Sequence, residues 1–374
     1  MGEWGQARAR RMDRVRERLG GLGVDALLLS HGADLPWLAG YRAMPLERLT
    51  MLVVPAEGEA TLVVPALEAP RVAHDPGLFG LRPWAESEDP VEIVAALVGS
   101  RSTLAVSDRA WAASVLALQA RLPGARWRPA SAVTSALRAV KDAAEVDLLR
   151  AAGAAADRVA AQLLGGEIAL IGRTEAEVSA DLGRRLVAEG HRAVNFAIVG
   201  SGPNSASPHH QPGERRIGVG EVVVCDFGGT LGPDDATGYC SDTTRTVVTG
   251  EPDQRFAALY GVLQDAQAAA LDGAVVGRAC SAVDALARDR IAGAGWGERF
   301  IHRLGHGIGI EEHEDPYLIE GNDAPLVAGH AFSVEPGIYL DGIYGARIED
   351  IVVATDAGPE ALNTSDHSLT VVEA

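Results

Sequence analysis

Apolar and polar positions in the first third of the chain alternate between helical and strand-like spacing. Met12, Val15 and Leu19 share one helical face before Gly20-Gly21, so the pattern predicts an amphipathic helix that ends at these glycines. This part of the chain also carries short Val- and Leu-rich runs and further helical segments, with strands predicted at 25–30, 50–55, 60–65 and 103–107 and helices at 91–98 and 110–122. The order of elements predicts a small α/β domain.

Beyond residue 123 the pattern changes to longer helices and paired strands. We interpret 124–135 as a linker and 136–164 as one long amphipathic helix. Thr174 and Glu177 form a capping box that begins the next helix. The further elements predicted are helices at 174–190, 252–272 and 281–292, a strand at 195–202, and two pairs of β-rich runs. The chain therefore divides into an α/β domain at 1–130 and a second domain at 131–374.

Two aspartates flank the turn of the first β-rich pair. Asp226 ends the apolar run EVVVCDFGG, and Asp242 begins the next run in GYCSDTTRTVV. Taken singly, each aspartate is as expected for a turn or a cap. Because the midpoint between them, residue 234, lies within the turn-rich segment, we expect both carboxylates on one face of a hairpin.

Two glutamates repeat this layout near the C-terminus. Glu335 in SVEPGIYL and Glu349 in ARIEDIVV lie on either side of Asp341-Gly342, a dipeptide typical of hairpin turns. Their midpoint is residue 342, so the glutamates are expected to lie opposite each other and to share a face. Like charges in this arrangement are destabilising unless a cation binds between them.

A segment rich in glycine and histidine, RLGHGIGIEEHEDPY, supplies one further candidate, His306. Glycines at this density disfavour a helix and let the backbone pass close to a crowded site. Four carboxylates and one imidazole suit two divalent cations such as Mn, Co, Fe or Zn. Cations of this kind lower the pKa of water and stabilise the oxyanion formed when water attacks a carbonyl.

Composition narrows the range of partners. The 374-residue chain has a formal net charge of −18, which argues against nucleic acid and anionic membranes. Its three cysteines, Cys225, Cys240 and Cys280, lack CxxC spacing, and no apolar run approaches the ~18 residues of a membrane span. The N-terminus lacks the apolar core of a signal peptide. We therefore expect a cytoplasmic protein that binds neither nucleic acid nor membrane.

The five candidate ligands and their local sequences resemble the pita-bread (M24) metallopeptidases, which include methionine aminopeptidase, aminopeptidase P and prolidase. The metal ligands of that family occur in the order Asp, Asp, His, Glu, Glu, and they match Asp226, Asp242, His306, Glu335 and Glu349. The whole chain resembles the proline-specific branch, whose members carry an additional N-terminal domain of the creatinase type. The resemblance implies a creatinase-type α/β domain followed by an α+β pita-bread catalytic domain.

Further residues match positions that line the substrate site in this family. They comprise three histidines, an arginine and an aromatic residue: His209, His302, His313, Arg347 and Tyr239. The resemblance implies that Glu335 shuttles protons as well as binding metal, that His302 and His313 polarise the peptide group together with Arg347, and that His209 holds the proline side. For His210, the neighbour of His209, an ordinary surface role is expected.

The resemblance also implies a reaction. Two divalent ions, with Mn expected and Co, Zn or Fe as alternatives, would activate a water for attack on an Xaa-Pro bond. The substrate would be a small peptide with proline in second position, and the protein would form a homodimer. We favour an Xaa-Pro dipeptidase (prolidase), with aminopeptidase P as the alternative. A metal-free creatinase-type hydrolase or an inert binding protein is disfavoured, since such relatives lose ligands that this chain retains.

The chain departs from the family pattern in two places. Residues 231–237 form an insertion near the site and are expected to reshape its rim. Some microbial prolidases carry HExPR, whose arginine is thought to bind the proline carboxylate, whereas this chain has HEDPY and ends the motif on Tyr317. We expect Tyr317 to contact the substrate, and the missing charge to come from Arg347 or another cation if the substrate is a dipeptide.

Overall fold

The computed structural model describes residues 3–234 and 237–373, which form two compact units. One unit comprises 3–138 with Asp234 and Thr237, and the other comprises 139–233 and 238–373. The sequence predicted a domain boundary between 130 and 131, a few residues before the division between the two units at 138 and 139. The predicted domain boundary stays a prediction. Within the described residues, no helix is long and apolar enough to cross a membrane.

The first unit is built on one mixed sheet with the strand order β4-β3-β2-β1-β5-β6. Strand β2 is antiparallel to both of its neighbours, whereas the outer pairs are parallel. Its elements are α1 (Glu3–Leu22), β1 (Ala26–Leu29), α2 (Asp34–Ala39), β2 (Met51–Pro55), β3 (Thr61–Pro65), β4 (Gly80–Trp84), α3 (Pro90–Val98), β5 (Thr103–Val106), α4 (Ala112–Arg121), β6 (Arg126–Pro129) and α5 (Ser131–Ala139). Leu28, Val53 and Leu104 of the sheet share an apolar core with side chains of α3 and α4. The predicted α/β class is confirmed.

The predicted linker at 124–135 is wrong. Residues of this segment form β6, which pairs parallel to β5, and then begin α5. The segment has a polar composition because β6 is an edge strand with mostly exposed side chains, and a proline is tolerated at its end. The sequence pattern of an edge strand therefore resembled that of a connection.

The single helix predicted at 136–164 is also wrong, because the chain leaves helical geometry between α5 and α6. Val140 forms a β-bridge with His330, and the buried Lys141 ammonium lies 2.7 Å from Glu314. Asp142 then caps α6 in a capping box with Glu145. Tertiary pairing thus interrupts a continuous helical pattern. The first helix differs by less: α1 runs past Gly20-Gly21 and ends at Leu22.

The second unit contains two five-stranded sheets, each covered on one face by helices, and a two-stranded sheet, β14-β15. The pairings are antiparallel except that β18 runs parallel to β10. Helices α6 and α7 pack on the sheet β18-β10-β8-β7, and α8 and α9 pack on the sheet β12-β11-β13-β16-β17. Its elements are α6 (Ala143–Leu164), α7 (Glu175–Ala188), β7 (Ala193–Ser201), β8 (Val222–Leu231), β9 (Tyr239–Cys240), β10 (Thr243–Val248), α8 (Gln254–Gly273), α9 (Cys280–Gly293), β11 (Gly305–Gly307), β12 (Glu314–Leu318), β13 (Ala331–Val334), β14 (Gly337–Leu340), β15 (Tyr344–Arg347), β16 (Asp350–Thr355), β17 (Gly358–Ala361) and β18 (Thr370–Val371). Short 3₁₀ helices lie at Ala69–Arg71, Gly202–Ala206 and Gly297–Arg299. The expected α+β class of this part is confirmed, as is the capping box that begins α7.

The glutamate hairpin has the predicted register. Gly337 pairs with Arg347 in the short ladder β14-β15, and Val334 pairs with Asp350 in the ladder β13-β16, so both ladders are centred on Gly342. Glu335 and Glu349 occupy the gap between the two ladders. The midpoint argument from the sequence is therefore confirmed.

The aspartate hairpin has a register two residues away from the predicted one. Asp226 lies opposite Thr244, not opposite Asp242. Because side chains alternate with a period of two residues, a shift of two keeps both aspartates on the same face. The predicted pairing is wrong, but the shared face on which the metal hypothesis depends is preserved.

Glycines set the path of the segment around His306. A Cβ added at Gly305 would lie 1.9 Å from the Ser333 carbonyl oxygen, and one at Gly307 would lie 2.1 Å from the Asp315 carbonyl oxygen. Residues 305–307 form strand β11 between β12 and β13. The absence of a helix here and the close passage of the backbone are both as predicted.

Two helical glycines offer a matched test of packing. Gly261 of α8 is exposed with open space where a Cβ would be, whereas a Cβ on Gly153 of α6 would lie 3.0 Å from the Leu362 carbonyl oxygen. Gly261→Ala is expected to raise the free energy of unfolding by about 0.5–1 kcal/mol through helix propensity. Gly153→Ala is expected to be at least about 1 kcal/mol less stable than Gly261→Ala, because crowding opposes the same gain. Equal stability of the two variants in urea denaturation would contradict the packing described for α6.

Candidate active site

A cavity of about 710 Å³ lies in the second unit, and most of the predicted site residues line it. The predicted residues on its wall are Asp226, Asp242, His306, Glu335, Glu349, His209, His302, His313 and Arg347. Apolar side chains from β7 and from the segments flanking β11 and β12 also line the wall: Phe196, Ile198, Ile301 and Ile319. Residues more than 100 positions apart in the sequence are thus brought to one surface.

The five predicted metal ligands form one cluster, in which four side chains are buried and Glu335 is partly buried. The ligand atoms of Asp226, Asp242 and Glu349 lie within 4.8 Å of one another, and those of His306, Glu335 and Glu349 do likewise. Nε2 of His306 lies 3.2 Å from Oε1 of Glu335 and 3.6 Å from Oδ2 of Asp242. Glu349 belongs to both groups and therefore joins the two halves of the cluster.

The two sheets are joined at this cluster. Thr244 of β10 and Glu349 form an isolated β-bridge between the sheets, and the Thr244 hydroxyl donates to Oε2 of Glu349 at 2.6 Å. Two residues further along β10, the Thr246 hydroxyl donates to the Arg347 carbonyl and accepts from the Arg347 amide. The carboxylates of one sheet are thereby fixed relative to those of the other.

Burial and mutual repulsion disturb the carboxylates. Burial, and then the neighbouring carboxylates, raise the pKa values of Asp242 and Glu349 well above the ordinary range. Burial also raises the pKa of Asp226, although the Arg347 guanidinium opposes this. Burial acts in the same direction on Glu335, but the hydrogen bond and charge of His306 outweigh it and lower the pKa of Glu335 to about 2. The cluster is an unfavourable concentration of negative charge.

His306 is oriented by the backbone of its own segment. Its Nδ1 lies 3.1 Å from the Gly307 carbonyl oxygen, to which a ring N–H donates, so Nε2 is the atom directed at the carboxylates. The Ser333 hydroxyl accepts from the His306 amide and donates to Oε1 of Glu335 at 3.1 Å. A serine two residues before Glu335 therefore connects the imidazole to the facing strand.

Arg347 is a buried structural cation in the wall of the cavity. Its side chain is 3% exposed, and Nη2 donates to Oδ2 of Asp226 at 2.5 Å. Its remaining donors meet the Thr244 hydroxyl, the Tyr339 hydroxyl and the Pro208 carbonyl. The guanidinium thus offsets part of the carboxylate charge, and four of its five N–H groups donate to protein acceptors.

His302 has protein partners on both ring nitrogens. Nδ1 lies 2.8 Å from the Arg303 carbonyl oxygen, to which it donates, so Nε2 accepts from the Tyr339 hydroxyl at 3.0 Å. Burial lowers the pKa of His302, which favours this neutral form. Tyr339 itself accepts a hydrogen bond from Arg347. Arg347 therefore donates to Tyr339, and Tyr339 in turn donates to His302. The predicted polarising role of His302 stays a prediction.

His313 and His209 are the exposed histidines of the cavity wall. The rings of His313 and His306 have centroids 4.0 Å apart. Burial of its ring, and then the charge on His306, lower the pKa of His313 to about 4. A neutral imidazole therefore stands beside the cluster at neutral pH.

The neighbour of His209 has a structural role, which replaces the surface role expected for it. His210 lies 2.7 Å from Oε2 of Glu175, a carboxylate with no exposed side-chain surface. Five donor groups surround this carboxylate: the Ser201 amide and hydroxyl, the Asn204 side-chain amide, the His210 ring and the Gly213 amide. The loop that presents His209 to the cavity is thereby tied to the first residue of α7.

Two predicted substrate residues do not line the cavity. The Tyr239 hydroxyl donates to Oε1 of Glu145, and Tyr239 is buried. Tyr317 of β12 lies beneath the guanidinium of Arg303, which is 4.5 Å from its ring centroid. Part of the predicted insertion, residues 235 and 236, lies outside the described residues, and its effect on the rim stays a prediction.

Several polar residues of the site were missed by the sequence analysis. Ser333 and Thr244 each lie two positions from a predicted ligand on the same strand face, so the alternation that found the ligands also applies to them. Tyr339 offered no comparable signal, because its place beside Arg347 depends on the β14-β15 pairing. Glu175 was identified only as part of the helix at 174–190.

The donor set fits divalent cations. Oδ1 of Asp226 is buried and has no hydrogen-bond partner among residues 3–234 and 237–373. A buried carboxylate oxygen without a partner is costly unless a cation binds it. Buried carboxylates with one imidazole nitrogen are ligands that Mn, Co, Fe and Zn accept. The residues present therefore suit a metal site of two adjacent positions.

Comparison with known proteins agrees with this geometry. The model of metallopeptidase family M24 matches residues 147–356, and the creatinase/prolidase N-terminal domain matches residues 11–140. The chain belongs to metallopeptidase family M24. A creatinase-type N-terminal domain precedes a pita-bread catalytic domain, and the family implies divalent metals and hydrolytic activity.

Individual M24 relatives are similar over nearly the whole chain. A crystal structure of the dipeptidase PepE from Mycobacterium ulcerans is 46% identical, with a TM-score of 0.91 and 98% of each chain covered. The Xaa-Pro dipeptidase of Lactobacillus helveticus is 34% identical, covering 96% of this chain and 98% of the relative. A prolidase structure from Thermococcus sibiricus is 34% identical, with a TM-score of 0.89 and 96% and 98% of the two chains covered.

Metal binding can be tested through stability. Mn²⁺ is expected to raise the unfolding temperature of the wild type, because a ligand that binds only the folded state stabilises it. Asp242→Asn is expected to raise the unfolding temperature without metal, since it removes a destabilised buried charge, and to abolish most of the Mn²⁺-induced shift. The exposed Asp272→Asn serves as the control. A wild-type shift retained in Asp242→Asn would contradict the predicted ligand set.

The anchoring of the His209 loop gives a second test. Glu175→Gln is expected to lower the free energy of unfolding by about 1–3 kcal/mol at pH 7, because it weakens several bonds to a buried group. Burial acts to raise the pKa of Glu175, but the donors around it outweigh burial and lower it. The stabilisation is therefore complete above the unfolded value near 4.5 and is lost as the pH falls through the folded pKa.

The difference between wild type and Glu175→Gln should accordingly shrink in acid. The exposed Glu251→Gln is the control and should change stability by less than about 0.5 kcal/mol. A constant difference between pH 7 and pH 3 in urea denaturation would refute the role given to the carboxylate.

Proposed function

We propose that this M24 metallopeptidase is an Xaa-Pro dipeptidase that uses two divalent ions, with manganese as the preferred metal. The observation that carries the proposal is the gathering of all five family ligands on the wall of a cavity, in two groups of three that share Glu349 and whose ligand atoms lie within 4.8 Å of one another. Relatives named as dipeptidases and prolidases, similar along almost their full length, support the substrate class.

The ligand cluster defines what the protein contributes to metal chemistry. Asp226, Asp242, His306, Glu335 and Glu349 would hold the ions. Bound there, divalent ions supply a lowered pKa for water and positive charge for a developing oxyanion. The shared position of Glu349 and the bridge to Thr244 keep the two halves of the cluster at a fixed separation.

The side chains around the cluster divide the remaining tasks. Glu335 projects into the cavity at the strand end and is the proposed proton shuttle. His313 is neutral at pH 7, since its pKa is about 4, so it can accept or donate a hydrogen bond to the reacting peptide group. His209 stands on the same wall from another element and is proposed to contact the proline side.

Arg347 and Tyr339 act on the geometry of the site. Arg347 holds Asp226, and Tyr339 fixes the ring of His302. His302 lines the cavity, so its neutral, fixed ring would contact the substrate. We propose that Arg347, Tyr339 and His302 position the ligands and the substrate peptide group. Tyr239 and Tyr317 are proposed to support the cavity wall without lining it. A homodimer and a cytoplasmic location also remain proposals.

Xaa-Pro substrates require a dedicated site. The imide nitrogen of proline carries no N–H and its ring fixes φ, so a peptidase that grips an extended strand loses a hydrogen bond there. A cavity with apolar walls beside a metal cluster accommodates such a ring. Aminopeptidase P activity on longer peptides is the alternative, since the tyrosine in HEDPY replaces an arginine found in some prolidases.

The substrate length decides between the two activities. The Mn²⁺-loaded protein is expected to hydrolyse Ala-Pro and to lose activity on chelation, whereas Ala-Pro-Ala should be cleaved poorly. Glu349→Gln should lower kcat/KM for Ala-Pro by at least about 100-fold, because it removes a ligand shared by both halves of the cluster. Efficient cleavage of Ala-Pro-Ala would assign the protein as an aminopeptidase P, and cleavage of neither peptide would refute the proposed function.

A further inference from the structure

A second arginine on the cavity wall is not explained by the arrangement described so far. Arg303 directly follows His302, is half-buried and lines the cavity. Among residues 3–234 and 237–373, no carboxylate lies within ion-pair distance of its guanidinium. A permanent positive charge therefore stands at the substrate cavity without a counter-ion from the described part of the chain.

The other arginine of the wall is unsuited to bind a substrate anion. Arg347 donates to Asp226, Thr244, Tyr339 and Pro208, and only 3% of its side chain is exposed. A substrate carboxylate that formed a bidentate pair with it would have to displace protein partners. Arg303 has no such partners to displace, so it is the wall arginine that can receive an anion.

Tyr317 provides a platform for Arg303. The guanidinium carbon lies 4.5 Å from the centroid of the Tyr317 ring, which is a cation–π distance. The Leu304 amide donates to the Leu318 carbonyl at 3.0 Å, which holds the chain next to Arg303 alongside the strand that carries Tyr317. A guanidinium stacked on a ring keeps the N–H donors of its edge available for a planar anion.

We propose that Arg303, stacked on Tyr317, binds the free carboxylate of the dipeptide substrate. This inference rests on the proposed function and names the residue that would make it a dipeptidase. In an Xaa-Pro dipeptide the carboxylate is carried by the carbon next to the imide nitrogen, so it stays close to the metal cluster when the scissile bond is in place. Tyr317 stands where some relatives carry an arginine. In this chain the positive charge belongs to Arg303, and the Tyr317 ring packs against it.

The contact between Arg303 and the substrate carboxylate would distinguish dipeptides from longer peptides by their charge. A longer peptide places an amide where the dipeptide has a carboxylate, and an amide oxygen forms weaker hydrogen bonds with a guanidinium than a carboxylate does. The charged pair is formed both in the bound substrate and in the transition state, so its loss falls on KM more than on kcat. Arg303 would therefore set the preference for dipeptides without taking part in bond cleavage.

The test compares Ala-Pro with Ala-Pro-amide, which has the same shape without the terminal charge. In the Mn²⁺-loaded wild type, Ala-Pro should be the better substrate. Arg303→Gln is expected to lower kcat/KM for Ala-Pro by about 10- to 100-fold, mainly through KM, and to change the value for Ala-Pro-amide less than about 3-fold. Arg255→Gln is the matched control, because Arg255 is an exposed arginine stacked on Trp296 and does not line the cavity.

Two further variants separate charge from geometry. Arg303→Lys keeps the charge but loses the planar fork, so it should retain part of the preference for Ala-Pro. Tyr317→Phe keeps the ring and should behave as the wild type, whereas Tyr317→Leu removes the platform and should weaken the preference. Circular dichroism and the Mn²⁺-induced stability shift report whether each variant is folded and retains the metal site.

Each outcome bears on the proposal. An equal loss on both substrates, or no loss on either, in folded Arg303→Gln would overturn it. A loss confined to Glu-Pro, with Ala-Pro and Gln-Pro unchanged, would also overturn it and place Arg303 beside an acidic Xaa side chain. If the wild type hydrolyses neither Ala-Pro nor its amide, the proposed function fails and this inference fails with it.

Discussion

Four carboxylates and one imidazole share a single buried cluster, and the second unit is organised around the cost of holding them together. Burial penalises each charge, and each carboxylate is further destabilised by the others. The chain meets this cost with one buried arginine, with hydroxyl donors at Thr244 and Ser333, and with an arrangement that favours divalent cations. A fold that binds no cation there would have little reason to keep such a concentration of charge.

The placement of the ligands on strands or directly beside strand ends explains why the cluster tolerates so little displacement. A residue on a strand cannot move to a neighbouring position without passing to the opposite face. The β-bridge between Thr244 and Glu349 then fixes one sheet against the other at the point where the ligands meet. Rigid elements hold the ligands, while the loop after β7, tied by Glu175, carries the exposed His209.

Much of this site could be predicted from the sequence, because the alternation of side chains along a strand and the residues that favour turns are local properties. The glutamate hairpin was placed correctly from Asp341-Gly342 and a midpoint. The aspartate hairpin was misplaced by two residues, yet the conclusion survived because faces repeat every second residue. The break between α5 and α6 was not predictable in this way, since it depends on a bridge to residue 330 and an ion pair with residue 314. The same holds for Tyr339 and Glu175, whose partners are distant in sequence.

The close passage of the backbone at Gly305, Gly307 and Gly309 has a consequence for anyone who builds variant libraries on this scaffold. Any side chain at these positions would collide with Ser333, Asp315 or Glu314. The cavity can therefore be diversified at its exposed apolar residues, Ile301 and Ile319, whose side chains are accessible to solvent. The three glycines are best held constant in such a library while the residues around them are varied.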